Sequence, residues 1–276
     1  MTRDISDAAR IAAAIGPLRL VRARARRGRH AGSHPRRLAG AGTEFWQYRT
    51  LEAGEPADKV DWRRSARSDE LYVRERERQD PVRLWLWVDG SASMDFASEG
   101  APTKAAYART IAAALGLAAH EASETCCVLP APRPLAPLAM FEALGAGGGT
   151  PALPALGPSD IIVAAGDFLD DGGLDWVMNA ASQGASGVIV AVQDRAEIAF
   201  PFAGRVRFEA VEADEAAHEV GRAEDLTGRY ADAWAAHRAR LANAGANPSW
   251  LLVEAATDTR VDAAAARIAS WLGSSG

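Results

Sequence analysis

The sequence predicts an α/β fold: a mostly parallel sheet with helices on both faces. Three observations predict it. Short apolar runs suited to buried strands recur after residue 80, at Val82–Val88, Asp160–Ala165, Val188–Val192 and Trp250–Glu254. Segments of helical length and composition lie between them, and that alternation closes into parallel βαβ units. One run is followed directly by an acid, Asp89, and another by Gly166 and then Asp167, at the strand ends where such folds gather their sites.

The elements are read in order along the chain. Ile5 to about Arg27 has an Ala/Arg-rich amphipathic pattern and predicts a helix. His30 to Gly42 is a Gly/Pro/Ser loop; His30 and His34 have no third ligand near them and read as solvated loop histidines. Residues 44–80 read as short strands and turns. Within them Arg74-Glu75-Arg76-Glu77-Arg78 alternates in sign, which puts arginines on one face of an extended strand and acids on the other. That is the pattern of a charge-protected edge, or of a rim for a docking partner. After the strand Val82–Val88, a helix is expected from Pro102 to about Ala122, with Pro at its start. A strand Cys126–Leu129 and a Pro-rich loop Pro130–Pro137 follow. Beyond Asp160–Ala165 come a helix near Leu174–Gln183, the strand Val188–Val192 and a short strand Arg205–Glu209. A long helix from about Glu224 to Ala244, the strand Trp250–Glu254 and a helix Val261–Leu272 complete the reading. The chain divides into a basic helix and loop (1–43), a short-strand extension (44–80) and the α/β domain (81–276).

Composition narrows the function classes. The 276 residues are 48% hydrophobic and 24% charged, enough for one sizeable core plus an extension. No segment offers the roughly 18 uninterrupted apolar residues of a membrane span, and the N-terminus lacks the apolar core of a signal peptide, so a cytoplasmic protein is expected. Cys126 and Cys127, adjacent on one strand, point to neither a disulfide nor a zinc site and read as small core residues. Residues 1–80 hold 18 Lys and Arg against 12 Asp and Glu, whereas the other 196 hold 13 against 24. A basic arm of this kind can bind phosphates without reading sequence. The scarcity of aromatic residues before Phe45 argues against nucleic acid, and the arm can equally lie against an acidic protein surface.

The chemistry is concentrated at the strand ends. Asp89-Gly90-Ser91-Ala92-Ser93 places a carboxylate and two hydroxyls at alternate positions of a turn leaving a buried strand, where they can converge on an oxygen-loving cation. Thr150 closes the run Gly147-Gly148-Gly149, and Asp167 opens the acidic turn Asp167-Phe168-Leu169-Asp170-Asp171. Together these segments resemble the metal-ion-dependent adhesion site of von Willebrand factor A domains, a Rossmann-like fold. The resemblance implies that Asp89, Ser91 and Ser93 bind the ion from the first loop, with Thr150 and Asp167 binding directly or through water. It also implies an open position that an acidic side chain of a protein partner fills. Gly166 stands where such domains often carry Ser. Mg2+ is the expected ion, with Mn2+ or Ca2+ as alternatives of the same oxygen-seeking class.

A second set of residues resembles the bacterial family DUF58: Gly42-Thr43-Glu44-Phe45-x-x-Tyr48-Arg49, Gly54-Glu55-x-x-x-Lys59-Val60-Asp61-Trp62-Arg63-Arg64-Ser65-Ala66-Arg67, Leu71-Tyr72-Val73-Arg74-Glu75, and Gln193-Asp194-Arg195-Ala196-Glu197. Glu55, Lys59 and Val60 depart conservatively from the usual pattern. That resemblance implies a protein working beside a MoxR-type AAA+ ATPase, as an adaptor or co-chaperone.

An enzyme is the competing class. Magnesium-dependent phosphoryl transfer also uses a strand-end Asp, but it usually needs a cation beside the phosphoryl group. The two lysines, Lys59 and Lys104, follow no later sheet strand. Gly90-Ser91-Ala92-Ser93-Met94 is not a Gly-x-Ser-x-Gly elbow. No catalytic residue is assigned, and the expectation is a non-enzymatic, metal-dependent interaction module. A structural A-like scaffold without a working metal site is the other alternative.

Overall fold

The computed structural model describes residues 2–21, 45–52, 54–68, 70–76, 82–131, 133–209 and 218–273. They form two compact units, one of residues 29–81 and one of residues 1–28 with 82–276.

In the smaller unit, β1 (Phe45–Thr50) pairs antiparallel with β2 (Tyr72–Arg76), with a bulge between Phe45 and Gln47. The one-turn helix α2 (Trp62–Ser65) is capped by Asp61, whose carboxylate accepts the Arg64 N–H. Glu55 takes both guanidinium nitrogens of Arg49 at 2.6 Å, and this pairing holds its carboxyl at about 2. Arg64 lies over the rings of Tyr48 and Tyr72, themselves edge to face. Several residues that carry the DUF58 resemblance therefore have local structural roles. Trp62 is 61% exposed.

The larger unit begins with α1 (Thr2–Ile15). The helix expected as far as Arg27 stops here because Gly16 turns into the left-handed region at φ 74° and Pro17 cannot continue it. Residues 22–27 and both loop histidines, His30 and His34, lie outside the described residues. Next come β3 (Arg83–Val88), α3 (Lys104–Glu121), β4 (Thr125–Val128), α4 (Pro137–Gly145) and β5 (Asp160–Gly166). They are followed by α5 (Asp171–Ser182), β6 (Ser186–Gln193), α6 (Arg195–Ala199), β7 (Val206–Phe208) and β8 (His218–Val220). The unit ends with α7 (Thr227–Gly245), β9 (Trp250–Ala256) and α8 (Val261–Gly273).

Five strands form one parallel sheet in the order β4-β3-β5-β6-β9. The expected α/β architecture, with helices on both faces, is what the chain adopts. Strand alternation explains the two layers. Leu84, Leu86 and Val88 of β3 enter the core beneath α1, α3, α4 and α8, while Trp85 and Trp87 enter the core beneath α5 and α7. Ile161, Val163 and Ala165 of β5 divide from Ile162 and Ala164 in the same way. Each buried Leu, Ile or Val among these contributes about 1.5–3 kcal/mol by leaving water.

At the N-terminal edge of the sheet, buried Asp160 accepts from Arg83 at 2.7 and 2.9 Å, from Trp85 Nε1 at 2.8 Å and from the Gly157 N–H at 2.8 Å. Cys126 and Cys127 are buried thiols, as expected. Three short elements were not anticipated. Helix α4 follows the Pro-rich segment with Pro137 at its first position, α6 begins at a capping box, and β8 pairs with β7.

Candidate metal centre

The strand order reverses between β3 and β5, because the chain passes from β3 to β4 on one side and then to β5 on the other. At such a switch point, loops leaving the strand ends diverge and open a crevice. Asp89 follows β3 and Asp167 follows β5, so both carboxylates stand at its mouth.

The first loop is held by its own polar groups. Asp89 Oδ1 accepts the Ser91 N–H at 2.9 Å, and Ala92–Asp95 form a 3-10 turn with Met94 buried beneath it. Ser91 Oγ lies 3.1 Å from Ser93 Oγ, and Ser93 Oγ donates to Asp167 Oδ2 at 2.6 Å. Four of the five sequence-predicted ligands, Asp89, Ser91, Ser93 and Asp167, are thereby joined in one network.

Thr150 is not joined to this network, but its glycine loop meets the first loop. Gly90 donates its N–H to Gly148 O at 3.0 Å, and a Cβ at Gly90 would fall 2.0 Å from Gly148 N. The first loop and the glycine loop therefore meet backbone to backbone. Thr150, two residues further on, is exposed, and its hydroxyl makes no hydrogen bond to the other four among the described residues.

Gly166 also has a steric reason. A Cβ there would lie 2.8 Å from Asp89 Cβ and 3.2 Å from Asp89 Oδ2. A side chain at this position has no room beside Asp89 as it is placed here.

Sequence reasoning missed the surrounding charges. Lys104, the first residue of α3, is 0% exposed and donates to Asp167 Oδ2 at 2.8 Å and to Glu197. Its proximity could not be found by looking for a lysine after a later strand, since it arrives from a helix N-terminus. Asp194 and Glu197 form the capping box of α6. Asp194 also accepts the Ser98 N–H at 2.9 Å, the Ser98 hydroxyl, and Thr257 Oγ1 at 3.0 Å. Burial pushes the Asp194 carboxyl up, but these hydrogen bonds outweigh it and leave it below the usual aspartate range. His237 approaches from α7. Burial and then Arg240 push its pKa below the usual histidine value, with the Asp167 carboxylate opposing.

The donor set suits a hard divalent cation. It offers two carboxylates and three hydroxyls, all oxygen. Among the described residues no group of three His, Cys, Asp or Glu side chains is placed to hold a metal, so the hydroxyls are essential to the set. Asp89 supplies a more specific indication. It is 9% exposed, its hydrogen bonds come from Ser91, and no cationic side chain among the described residues pairs with it. Burial pushes its carboxyl above the usual range; the Ser91 N–H opposes this, and the charges of Asp167 and Asp170 add to it. A nearly buried carboxylate beside a second one favours an added cation.

Three curated proteins are similar to part of the chain. They are uncharacterized proteins of Mycobacterium bovis and of Mycobacterium tuberculosis strains CDC 1551 and H37Rv, each 32% identical over 96 residues. The match covers 35% of this chain and 30% of each relative, so the chain spans less than a third of their length in common. No solved structure matches. Residues 47–132, which include Glu55, Asp61, the loop Asp89–Ser93 and Lys104 and end before Thr150 and Asp167, match the family described as Protein of unknown function DUF58.

Proposed function

We propose that this chain is a metal-ion-dependent protein–protein interaction module. In this reading residues 81–276 are a von Willebrand factor A-like domain, working in the cytoplasm as an adaptor or co-chaperone of a MoxR-type AAA+ ATPase. The observation that carries the reading is the network Asp89, Ser91, Ser93 and Asp167 at the switch point, closed by the 2.6 Å bond from Ser93 to Asp167. Asp89, Ser91, Ser93 and Asp167 would hold Mg2+, or Mn2+ or Ca2+ in its place, and Thr150 would join from the glycine loop. When bound, the ion supplies an electrophilic position for an acidic side chain of a client or of the ATPase. Asp89 contributes a carboxylate that no cation among the described residues pairs with; the Ser91 N–H holds it and the Ser93 hydroxyl holds Asp167.

Catalysis is not part of the reading. Lys104, the cation that phosphoryl transfer would need, stands at Asp167 but is fully buried and already shared with Glu197. The same lysine favours one second reading: a structural scaffold in which the Lys104 ammonium takes the place of the ion. Capture of a MoxR-type ATPase on immobilised wild-type protein and on Asp89→Ala, each with magnesium and with EDTA, separates the two. Retention by wild type with magnesium alone supports the ion bridge. Equal retention in all four moves docking away from Asp89 and favours the scaffold.

A further inference from the structure

Lys104 is placed beside Asp167 by the start of α3, where Thr103 caps the helix by accepting the Ala106 N–H at 3.1 Å. Its ammonium has no exposure and two carboxylate partners, Asp167 from the end of β5 and Glu197 from α6. A buried ammonium costs several kcal/mol unless it is well paired, so both acids matter to it. Asp167 Oδ2 is doubly engaged, by Lys104 at 2.8 Å and by Ser93 at 2.6 Å. An incoming ion that used this oxygen would compete with Lys104, whereas Asp89 is not engaged by any described cation.

Glu197 is fixed independently of that contest. Its Oε2 accepts the Asp194 N–H at 2.8 Å, leaving Oε1 directed at Lys104. Tyr230 also donates its hydroxyl to the Glu197 carbonyl at 2.7 Å. The acid is thus preorganised by its own turn and by α7, whatever happens at Asp167.

We propose that Lys104 sets the ion affinity of this site: it is a resident counter-cation that holds Asp167 when no divalent ion is bound, and Glu197 keeps it paired when an ion claims Asp167. The proposal rests on the metal-site reading above. It makes ion binding an exchange of one cation for another on Asp167, with the buried lysine neutralised in both states. A unit charge a few ångströms from the ion is worth enough at intermediate effective dielectric that its removal tightens binding by roughly tenfold or more. Removing Glu197 has the opposite sign, because Lys104 then depends on Asp167 alone and one negative charge is lost.

The test is a Mn2+ titration of the full chain, with free Mn2+ followed by its electron paramagnetic resonance signal, for wild type, Lys104→Met and Glu197→Gln. The Gln side chain can still close the capping box. Lys104→Met is expected to bind about tenfold more tightly than wild type, and Glu197→Gln several-fold more weakly. The rise in melting temperature with added Mg2+ should follow the same order. If far-UV circular dichroism shows that Lys104→Met does not fold, Glu197→Gln decides, since it retains the lysine. Equal affinities for wild type and the folded variants would overturn the role of Lys104 and leave the metal site standing. No Mn2+ binding by wild type would overturn the metal site, and this inference with it.

Discussion

Lys104 Nζ lies 2.8 Å from Asp167 Oδ2 across 63 residues of sequence. The contact joins the N-terminus of α3 to the C-terminal end of β5, two places that a parallel sheet with a switch point brings together. It leaves Asp167 neutralised inside the protein and Asp89 without a described cation. That asymmetry between two neighbouring carboxylates underlies the account of the site.

Gly90→Ala should part the two loops that build the crevice. The added Cβ would meet Gly148 N at 2.0 Å, backbone against backbone, so the loops themselves must move. A loss of about 1–3 kcal/mol is expected by urea unfolding, together with weaker Mg2+ binding because the Asp89–Ser93 loop must shift. Unchanged stability and ion affinity would show that the close approach is not needed.

Asp160→Ala should damage the fold and spare the site. It leaves Arg83, the Trp85 indole N–H and the Gly157 N–H without their shared acceptor at the opposite end of the sheet. A loss of about 1–3 kcal/mol is expected in denaturant titration, with Mg2+ affinity of the folded fraction within a factor of two of wild type.

Asp194 makes stability depend on pH. Its folded pKa is lowered, so the unfolded state binds the proton more readily. Its contribution is present above the usual aspartate value of 3.8 and is lost as pH falls through the lower folded value. Wild type should therefore exceed Asp194→Ala by about 1–2 kcal/mol at neutral pH. The gap should narrow only below about pH 4. A gap of constant size down to acid would assign the effect to packing instead of charge.

The thiols should be inert in the native protein. Burial pushes Cys126 up to about 12 and raises Cys127 as well, so little thiolate exists at neutral pH. Reaction with an aromatic disulfide reagent is expected to track global unfolding; rapid labelling of either cysteine under native conditions would contradict the packing described.

The sheet was legible because its strands are apolar on both faces and read as continuous runs, as at Val82–Val88 and Asp160–Ala165. The loops at Asp89, Thr150 and Asp167 were legible because oxygen-bearing residues follow strands or glycines. What escaped was set by tertiary contact. Lys104 reads as an ordinary first-turn residue, and only the packing of α3 on the sheet carries its ammonium to Asp167. Glu197 was visible as part of a family pattern but not as a partner of Lys104, since nothing local links them. The end of α1 at Ile15 was written in Gly16 and Pro17, and the Ala/Arg pattern beyond them masked it. Gly166 looked like a missing Ser; the space it leaves is occupied by Asp89.

The most direct test of the central claim is a calorimetric titration of Mg2+ into wild-type protein and Asp89→Ala, with the fold of each checked by circular dichroism. The account predicts one ion bound by wild type and none by a folded Asp89→Ala. A wild type that binds no ion, or a variant that binds it equally well, would contradict it.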